Sequence, residues 1–106
     1  MNGDEAARLI TDRYSAMILF AMQLRPKGAQ AVSQQCGIPI AACYRRIKAL
    51  ESIGVLEKAE CFLNQRGKWV QTYLSVVKGM DVGIDQGRIK VSITLRDGRL
   101  RTLGEG

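Results

Sequence analysis

The sequence predicts a single α+β domain, because the spacing of its apolar residues changes from a helical to an extended period partway along a short chain. Up to about residue 54, apolar residues recur every three or four positions, whereas after Val55 they alternate at every second position. The chain has 106 residues, a length that fits one hydrophobic core. Its 46% hydrophobic and 25% charged residues are typical of a globular protein rather than of a disordered one. We therefore expect residues 1–106 to form one domain, with helices first and β-hairpins after them.

The N-terminal segment, residues 1–26, is predicted to be helical. Its apolar residues form one stripe at steps of three or four positions: Ile10, Tyr14, Met17, Ile18, Ala21 and Leu24. Either Asp4 caps one long helix or Thr11 caps a second, shorter one, and the sequence leaves both arrangements open. Pro26 is expected to end the segment, because a proline disfavours helical geometry in the residue before it.

Two helices separated by a short turn are predicted next. The first is expected at residues 29–36, with Gly28 as its N-cap and Gly37 as the residue that stops it. The second is expected at residues 39–53, because a proline such as Pro39 suits the first position of a helix.

The second of these helices is predicted to have one buried and one basic face. Cys43, Ile47 and Leu50 recur at steps of four and three, which predicts an inward stripe. A rotation of 100° per residue turns another set of side chains away from that stripe: Ala41, Tyr44, Arg45 and Lys48. A face with two cations and an aromatic hydroxyl is suited to contact with a polyanion.

Two β-hairpins are predicted after residue 55. The strands are expected at residues 56–63, 68–76, 80–84 and 89–95, with residues 100–103 as a short edge strand or a tail. The loop of the first hairpin, residues 64–68, has a basic tip, and Gly67 can take the positive φ that such a loop needs.

The positive charge of the chain is concentrated in its middle. Sixteen Lys and Arg residues against ten Asp and Glu residues give a formal net charge of +6. Residues 25–69 hold eight basic and three acidic residues, a net charge of +5, and no carboxylate lies between Arg13 and Leu50. A small domain with this charge is expected to bind an acidic partner such as nucleic acid or a membrane surface.

The residues that carry common enzymatic and metal chemistry are missing from this sequence. It contains no histidine, which excludes a Ser-His-Asp or Cys-His nucleophile and a His-ligated zinc site. Cys36, Cys43 and Cys61 are separated by 7 and 18 positions, which is not a metal-ligand spacing, and the first two lie on inward stripes where cysteine acts as a small hydrophobe. We therefore expect no enzymatic activity, no cofactor and no metal.

The order of these elements indicates a winged helix-turn-helix fold: three helices and a β-hairpin wing, with an additional C-terminal β-hairpin. The expected divisions are an N-terminal helical segment (1–26), a helix-turn-helix (27–54), a wing (55–77) and the C-terminal hairpin (78–103). An α-helix fits the major groove of DNA, and Lys and Arg side chains displace counterions from its phosphates. The pattern therefore predicts binding to double-stranded DNA.

Residues 36–56 closely resemble the core of archaeal ArsR-like winged-helix transcriptional regulators, with a Gly-Ile-Pro turn, a Tyr-Arg-Arg helix and a Gly-Val-Leu exit. Residues 12–19 and 84–91 also look like that group, and the resemblance covers about residues 8–97. It implies a homodimer that places the helix at 39–53 in the major groove. The residues that would then face the groove are Ala41, Ala42, Tyr44, Arg45 and Lys48. Residues 40–42 are apolar where many relatives have hydroxyl or amide side chains, so the shape of the DNA is expected to carry more of the recognition.

The resemblance also implies contacts outside that helical face. Lys27 and Gln30 would touch the DNA backbone at the start of the first helix of the pair, and Arg66 and Lys68 would be wing contacts. Arg46 lies beside the inward stripe, so a phosphate contact and a structural ion pair are both expected roles for it.

A second class of function is a winged-helix module that binds other proteins in a transcription complex or another assembly. Such a module needs neither a carboxylate-free stretch nor a basic helical face, so the charge pattern favours DNA. The sequence has no recognisable signal peptide, and its longest apolar run is too short to span a bilayer. We expect a cytoplasmic protein with no membrane partner, and the sequence identifies no small-molecule effector.

Overall fold

The computed structural model describes residues 2–103, which form four helices and two antiparallel sheets of three strands each. The helices are α1 (Gly3–Thr11), α2 (Arg13–Ala21), α3 (Ala29–Cys36) and α4 (Ile40–Ser52). The strands are β1 (Lys27–Gly28), β2 (Leu56–Leu63), β3 (Trp69–Ser75), β4 (Val77–Asp85), β5 (Arg88–Leu95) and β6 (Leu100–Leu103). The predicted α+β class is confirmed. The N-terminal segment forms two helices, one of the two arrangements that the sequence left open, so the described residues contain four helices where the winged helix was expected to have three.

The N-terminal segment divides at Asp12, and its caps differ from both predicted ones. The Asn2 side chain accepts a hydrogen bond from the backbone N–H of Glu5 (2.8 Å) and begins α1, so the cap is not Asp4. Asp12 begins α2, whereas the Thr11 hydroxyl donates back to the carbonyl of Ala7 inside α1 (2.8 Å). The backbone N–H of Ser15 in the first turn of α2 donates to the Asp12 carboxylate (3.1 Å), so Asp12 and not Thr11 is the cap.

The end of α2 also differs from the prediction. The helix ends at Ala21, five residues before Pro26, and Met22 is its C-cap, so Pro26 is not the residue that ends it. Leu24 therefore lies outside the helix and is 93% exposed, so its predicted place in the apolar stripe is wrong. Ile10 and Ile18 of the same stripe are fully buried.

The pair α3 and α4 follows the predicted boundaries closely. Gly28 is the N-cap of α3, and Gly37 ends it with a φ of +70°, the left-handed conformation that favours glycine. Pro39 is the N-cap of α4 in an extended conformation, one position outside the helix rather than its first residue. Cys43, Ile47 and Leu50 are buried as predicted.

The first sheet has the order β1-β3-β2 and lies against the helices. Its strand β1 was not predicted, because two residues show no period. Lys27 lies opposite Tyr73 and Gly28 opposite Thr72 in β3. The β2–β3 hairpin matches the predicted strands and closes through the loop at residues 64–68.

The second sheet has the order β4-β5-β6 and packs through β5 and β6 on α1. Residues 100–103 are a strand, one of the two predicted alternatives. The β4–β5 turn has positive φ at both Gln86 and Gly87, which is the type I′ geometry of a two-residue hairpin. Arg101 joins this sheet to the end of α4 by donating a hydrogen bond to the carbonyl of Ile53 (2.5 Å).

Candidate nucleic-acid interface

The outer face of α4 carries most of the side chains predicted to face DNA. Ala41, Tyr44, Arg45 and Lys48 are all exposed, as expected from their rotation away from the buried stripe. Their exposure follows from the burial of Cys43 and Ile47 on the opposite side, because α4 has one covered and one open face.

The expectation that Ala42 faces the groove is wrong. Ala42 is only 7% exposed and belongs to the core. It lies one 100° step from Cys43, on the side of α4 that also carries Arg46, and the Arg46 side chain reaches Asp12 between α1 and α2. The N-terminal helices therefore cover this side of α4. Of the three apolar residues at 40–42, only Ile40 and Ala41 are open to a ligand.

Arg46 is held in an ion pair on the covered side of α4. Its Nε and Nη2 donate to the two carboxylate oxygens of Asp12, at 3.0 and 3.3 Å. Its guanidinium also lies 5.6 Å from the ring centre of Tyr14, within the range of a cation–π contact. Of the two roles predicted for Arg46, the structural ion pair is the one present in the structure.

Arg45 lies toward the α1 side of the open face of α4. It lines a shallow groove of about 430 Å³ that also includes Glu5 and Arg46. Lys48 lies nearer the middle of the open face, and Tyr44 lies toward the β2–β3 hairpin. Across the open face of α4 the order is therefore Arg45 on one side, Lys48 near the middle and Tyr44 on the other side.

A second groove, of about 350 Å³, lies between α3, α4 and the β2–β3 hairpin. Gln30 contributes from the first turn of α3, Tyr44 from α4, and Lys68 and Trp69 from the hairpin. Tyr73 also lines it, and burial raises the pKa of its phenol, with smaller effects of Glu51 and Tyr44, so the hydroxyl stays a hydrogen-bond donor. The fold thus brings together predicted residues that lie up to 38 positions apart in the sequence.

The loop at residues 64–68 holds its basic tip in a defined shape. The side-chain oxygen of Asn64 accepts hydrogen bonds from the backbone N–H groups of Arg66 (2.9 Å) and Lys68 (3.0 Å). Gly67 adopts a φ of +76°, which a side chain would strain. Arg66 and Lys68 are both exposed, so the loop presents two cations on a fixed backbone.

Lys27 lies close to this surface but has a partner of its own. Its Nζ donates to the side-chain oxygen of Gln35 in α3 (2.8 Å), and the residue is half-buried. Gln30 is exposed at the start of the same helix. A phosphate would compete with Gln35 for the Lys27 ammonium group.

Trp69 was not among the predicted site residues. It is 71% exposed at the start of β3 and lines the groove beside Lys68. In the sequence, Trp69 alternates with Gln71 and Tyr73, a pattern that predicts a shared strand face but not that this face stays open next to α4. A large exposed aromatic side chain beside cations is the signal that could have identified it.

The cysteines give no sign of a metal site. In residues 2–103, no group of three or more Cys, Asp or Glu side chains is arranged to hold a metal ion. Cys36, Cys43 and Cys61 are free thiols, and burial raises the pKa of Cys43, with a smaller effect of Cys36. A protonated, buried thiol is a poor ligand and a poor nucleophile.

Within residues 2–103, no helix combines the length and the apolar character needed to cross a bilayer.

In comparison with known proteins, no protein-family model matches this chain, and no curated protein sequence matches it either.

Proposed function

We propose that this chain is a DNA-binding transcriptional regulator of the winged helix-turn-helix type. In this proposal α3 and α4 are the helix-turn-helix, α4 enters the major groove, and the β2–β3 hairpin is the wing that contacts flanking DNA. The observation that carries the proposal is the groove in which Gln30, Tyr44 and Lys68 meet from three different elements. It supports one continuous binding surface along α4 and the hairpin.

The charge on this surface supports a polyanionic ligand. Arg45 and Lys48 are exposed on α4, and Arg66 and Lys68 are exposed on the tip loop. Phosphate neutralisation by such residues dominates non-specific affinity for DNA. Arg46 is left out of this surface because Asp12 already binds its guanidinium.

Few side chains on this surface are suited to reading base edges. Arg45 or Lys48 can donate to guanine, and the Ala41 methyl group can contact thymine. Because Ala42 is buried, the apolar contact is limited to Ala41 and Ile40. We infer that DNA shape contributes a large part of the sequence preference.

The family resemblance extends the proposal to an ArsR-like homodimer. Two copies related by a two-fold axis would read a palindromic site whose halves lie about 34 Å apart, one helical turn of DNA. As a regulator of transcription, the protein would act in the compartment that holds the chromosome. We propose no enzymatic activity and no cofactor.

The test is selection of bound duplexes from a random pool, followed by affinity measurements at several salt concentrations. We expect a palindromic motif and an affinity that falls steeply with salt. Lys48→Ala and Lys68→Ala should each reduce the slope of log affinity against log salt by about 1. Lys90→Ala is the matched control, because Lys90 is exposed on β5 of the other sheet.

Two results would contradict this function. Absence of binding to any duplex at low salt would favour the other class, a winged-helix module that binds proteins. Equal effects of Lys48→Ala and Lys90→Ala would show that binding follows net charge and not the proposed surface.

A further inference from the structure

Strand β4 is a long edge strand whose outer side is open. The second sheet has the order β4-β5-β6, and within residues 2–103 no strand pairs with the outer edge of β4. Every residue from Lys78 to Lys90 is exposed. Unpaired N–H and C=O groups along such an edge are a template for pairing with another strand.

The same strand presents an apolar face that the rest of the chain only partly covers. Met80 lies opposite Ile93, Val82 opposite Val91, and Ile84 opposite Ile89, so these six side chains share one face of the hairpin. Val91 and Ile93 are buried, in the part of the sheet that packs on α1. In contrast, Val82 is 55% and Ile84 81% exposed.

We propose that β4 pairs with β4 of a second copy of this chain, antiparallel, about a two-fold axis at Val82. The two sheets then form one sheet of six strands, and the exposed side chains of Met80, Val82 and Ile84 pack laterally against their counterparts on one face of that sheet. This assigns a surface to the homodimer of the proposed function, but the surface is argued independently of DNA.

The backbone restricts which registers are available to such a pair. A two-residue I′ turn closes on a hydrogen-bonded pair, here Asp85 and Arg88. Alternation along the ladder then directs the N–H and C=O groups of Ile84, Val82 and Met80 toward the open edge. Two residues that lie opposite each other in an antiparallel pair have backbone N–H and C=O groups that either both point toward the partner strand or both point away from it. The two-fold axis therefore has to pass through a residue and not between two residues.

Charge selects among the remaining registers. With the axis at Val82, Asp81 lies opposite Gly83 of the second copy and Asp85 lies opposite Gly79, so no carboxylates face each other. With the axis at Asp81 or at Gly83, carboxylates lie directly opposite each other, which destabilises a strand pair.

The pairing of apolar side chains also favours the register with the axis at Val82. With the axis at Val82, Met80 lies opposite Ile84 of the second copy. An axis at Met80 would place Lys78 opposite Val82, and an axis at Ile84 would place Gln86 opposite Val82. The register at Val82 therefore pairs apolar residues with apolar residues and keeps the carboxylates apart.

The proposed dimer leaves the candidate nucleic-acid interface open. That interface belongs to α3, α4 and the first sheet, whereas β4 is the outer strand of the second sheet. Pairing at β4 can therefore occur in free and in DNA-bound protein.

The first test is sedimentation equilibrium without DNA over a wide range of protein concentration. We expect a reversible dimer, and we expect Val82→Asp to raise its Kd about 100-fold or more, because it opposes two carboxylates at the axis. Leu100→Asp is the matched control, since Leu100 is 75% exposed on β6 at the other edge of the same sheet. It should leave the Kd unchanged within about twofold.

Several outcomes would overturn the proposal. A wild-type protein that stays monomeric excludes it, as does a dimer that Val82→Asp leaves intact while its circular dichroism stays native. A dimer that only Leu100→Asp dissociates belongs to β6. Sedimentation without DNA and the duplex-binding measurements test the two proposals separately. A protein that is monomeric in sedimentation but binds duplexes would refute the dimer surface alone. A protein that is dimeric but binds no duplex would refute the DNA-binding function alone.

The second test examines the register by disulfide cross-linking with oxidised glutathione, in a Cys61→Ser background that removes the exposed native thiol. Directly opposed residues of a hydrogen-bonded antiparallel pair have Cα atoms about 5.5 Å apart, within the range that a disulfide spans. We expect Val82→Cys to give a covalent dimer. Gly83→Cys is the control. A Cβ at Gly83 has nothing within 4 Å, so the variant should fold. With the axis at Val82, residue 83 of each copy lies opposite Asp81 of the other copy, so the two introduced thiols do not face each other. Efficient cross-linking of Gly83→Cys with none of Val82→Cys would contradict the proposed axis.

Discussion

Asp12 joins the start of α2 to the middle of α4 by accepting two hydrogen bonds from Arg46, at 3.0 and 3.3 Å. The same carboxylate caps α2 by accepting from the backbone N–H of Ser15 (3.1 Å). One side chain thus fixes the break between α1 and α2 and the position of α4 relative to both. It also explains why one of the two adjacent arginines, Arg45, remains open for a ligand while Arg46 does not.

The two roles of Asp12 can be separated by substitution. Asp12→Asn keeps a good N-cap but loses the ion pair, so we expect it to lower the free energy of unfolding by about 0.5–1 kcal/mol. Asp12→Ala loses both roles and should cost about 1–2 kcal/mol. Urea unfolding of the two variants measures the difference. Equal losses would show that the cap contributes nothing to stability, whereas an Asp12→Asn variant as stable as wild type would show this of the ion pair with Arg46.

The ion pair also predicts how stability depends on pH. The hydrogen bond from Arg46 is the largest effect on Asp12 and, with that from Ser15, holds the pKa of this carboxyl below its ordinary value of 3.8. The unfolded chain therefore binds this proton first as the pH falls, so the contribution of Asp12 is complete above 3.8 and is lost as the pH falls through the lower folded value. We expect the stability difference between wild type and Asp12→Asn to shrink between pH 5 and pH 2. A difference that stays constant over this range would contradict the pKa shift.

The thiols are predicted to react in the order of their exposure. Cys43 is buried, its thiol donates to the carbonyl of Ala29 (3.4 Å), and its pKa is raised, so the reactive thiolate is scarce. With iodoacetamide at pH 8, mass spectrometry should find Cys61 modified first and Cys43 protected until denaturant is added. If Cys43 reacts as fast as Cys61 in the folded protein, the core around α4 opens more readily than its packing indicates.

Gly28 is predicted to be required by the close approach of β1 to β3. A Cβ at this position would lie 2.9 Å from Cγ1 of Val70 and 3.4 Å from the carbonyl oxygen of Gln71. Valine has a stiff side chain that cannot easily move away. We expect Gly28→Ala to lower the free energy of unfolding by about 1 kcal/mol.

A double-mutant cycle provides the control for this prediction. Val70→Ala removes the clashing methyl group, so Gly28→Ala should cost less in that background, with a coupling of at least about 0.5 kcal/mol. Strictly additive effects would mean that the cost of Gly28→Ala arises elsewhere.

The elements that the sequence predicted well are those with a strong period or a specific stop residue. Strand β2 and helix α3 lie at their predicted boundaries, since alternation defines the first and Gly37 stops the second. Asp12 was not identified as a helix boundary although its cap, the hydrogen bond from the Ser15 N–H, is local, and its second contact is with an arginine 34 positions away that no local pattern indicates. Strand β1 exists only through its pairing with β3, so the sequence around Lys27 contains no local signal for it.

In the candidate site, too, the sequence predicted the features that follow from a local period and missed those that follow from tertiary packing. Helical periodicity correctly predicted that Tyr44, Arg45 and Lys48 are exposed, because their exposure depends only on which face of α4 is turned outward. Ala42 is buried because α1 and α2 pack beside α4, and Trp69 is 71% exposed although it lines a groove together with residues of α3 and α4. Both facts depend on tertiary packing, which periodicity does not describe.

One substitution in the β4–β5 turn, at Gln86, is predicted to stabilise the fold. Gln86 adopts a φ of +53°, which asparagine and glycine tolerate better than glutamine does, and Asn-Gly is the preferred pair for a I′ turn. We expect Gln86→Asn to raise the free energy of unfolding by about 0.5 kcal/mol in urea titrations. Gln65→Asn in the other hairpin loop, where φ is not positive, should give no gain and serves as the control. An equal gain at both positions would indicate a general effect of asparagine in loops.

Trp69 is the only tryptophan of the chain, so its fluorescence reports on the proposed interface alone. Because it is largely exposed between the tip loop and α4, contact with a bound duplex should quench its emission and shift it to shorter wavelength. The signal should saturate at the Kd obtained from the anisotropy of labelled DNA. Trp69→Ala should weaken binding about fivefold through the loss of apolar contact, while Trp69→Phe retains most of the affinity.

This measurement also distinguishes the tip loop from α4 as the source of contact. If α4 alone binds DNA, the anisotropy of the duplex rises while the emission of Trp69 stays constant, and Trp69→Ala binds like wild type. If the hairpin takes part, Lys68→Ala should reduce both the quenching and the affinity, because Lys68 and Trp69 line the same groove. Substitution of Lys90 on the second sheet should change neither.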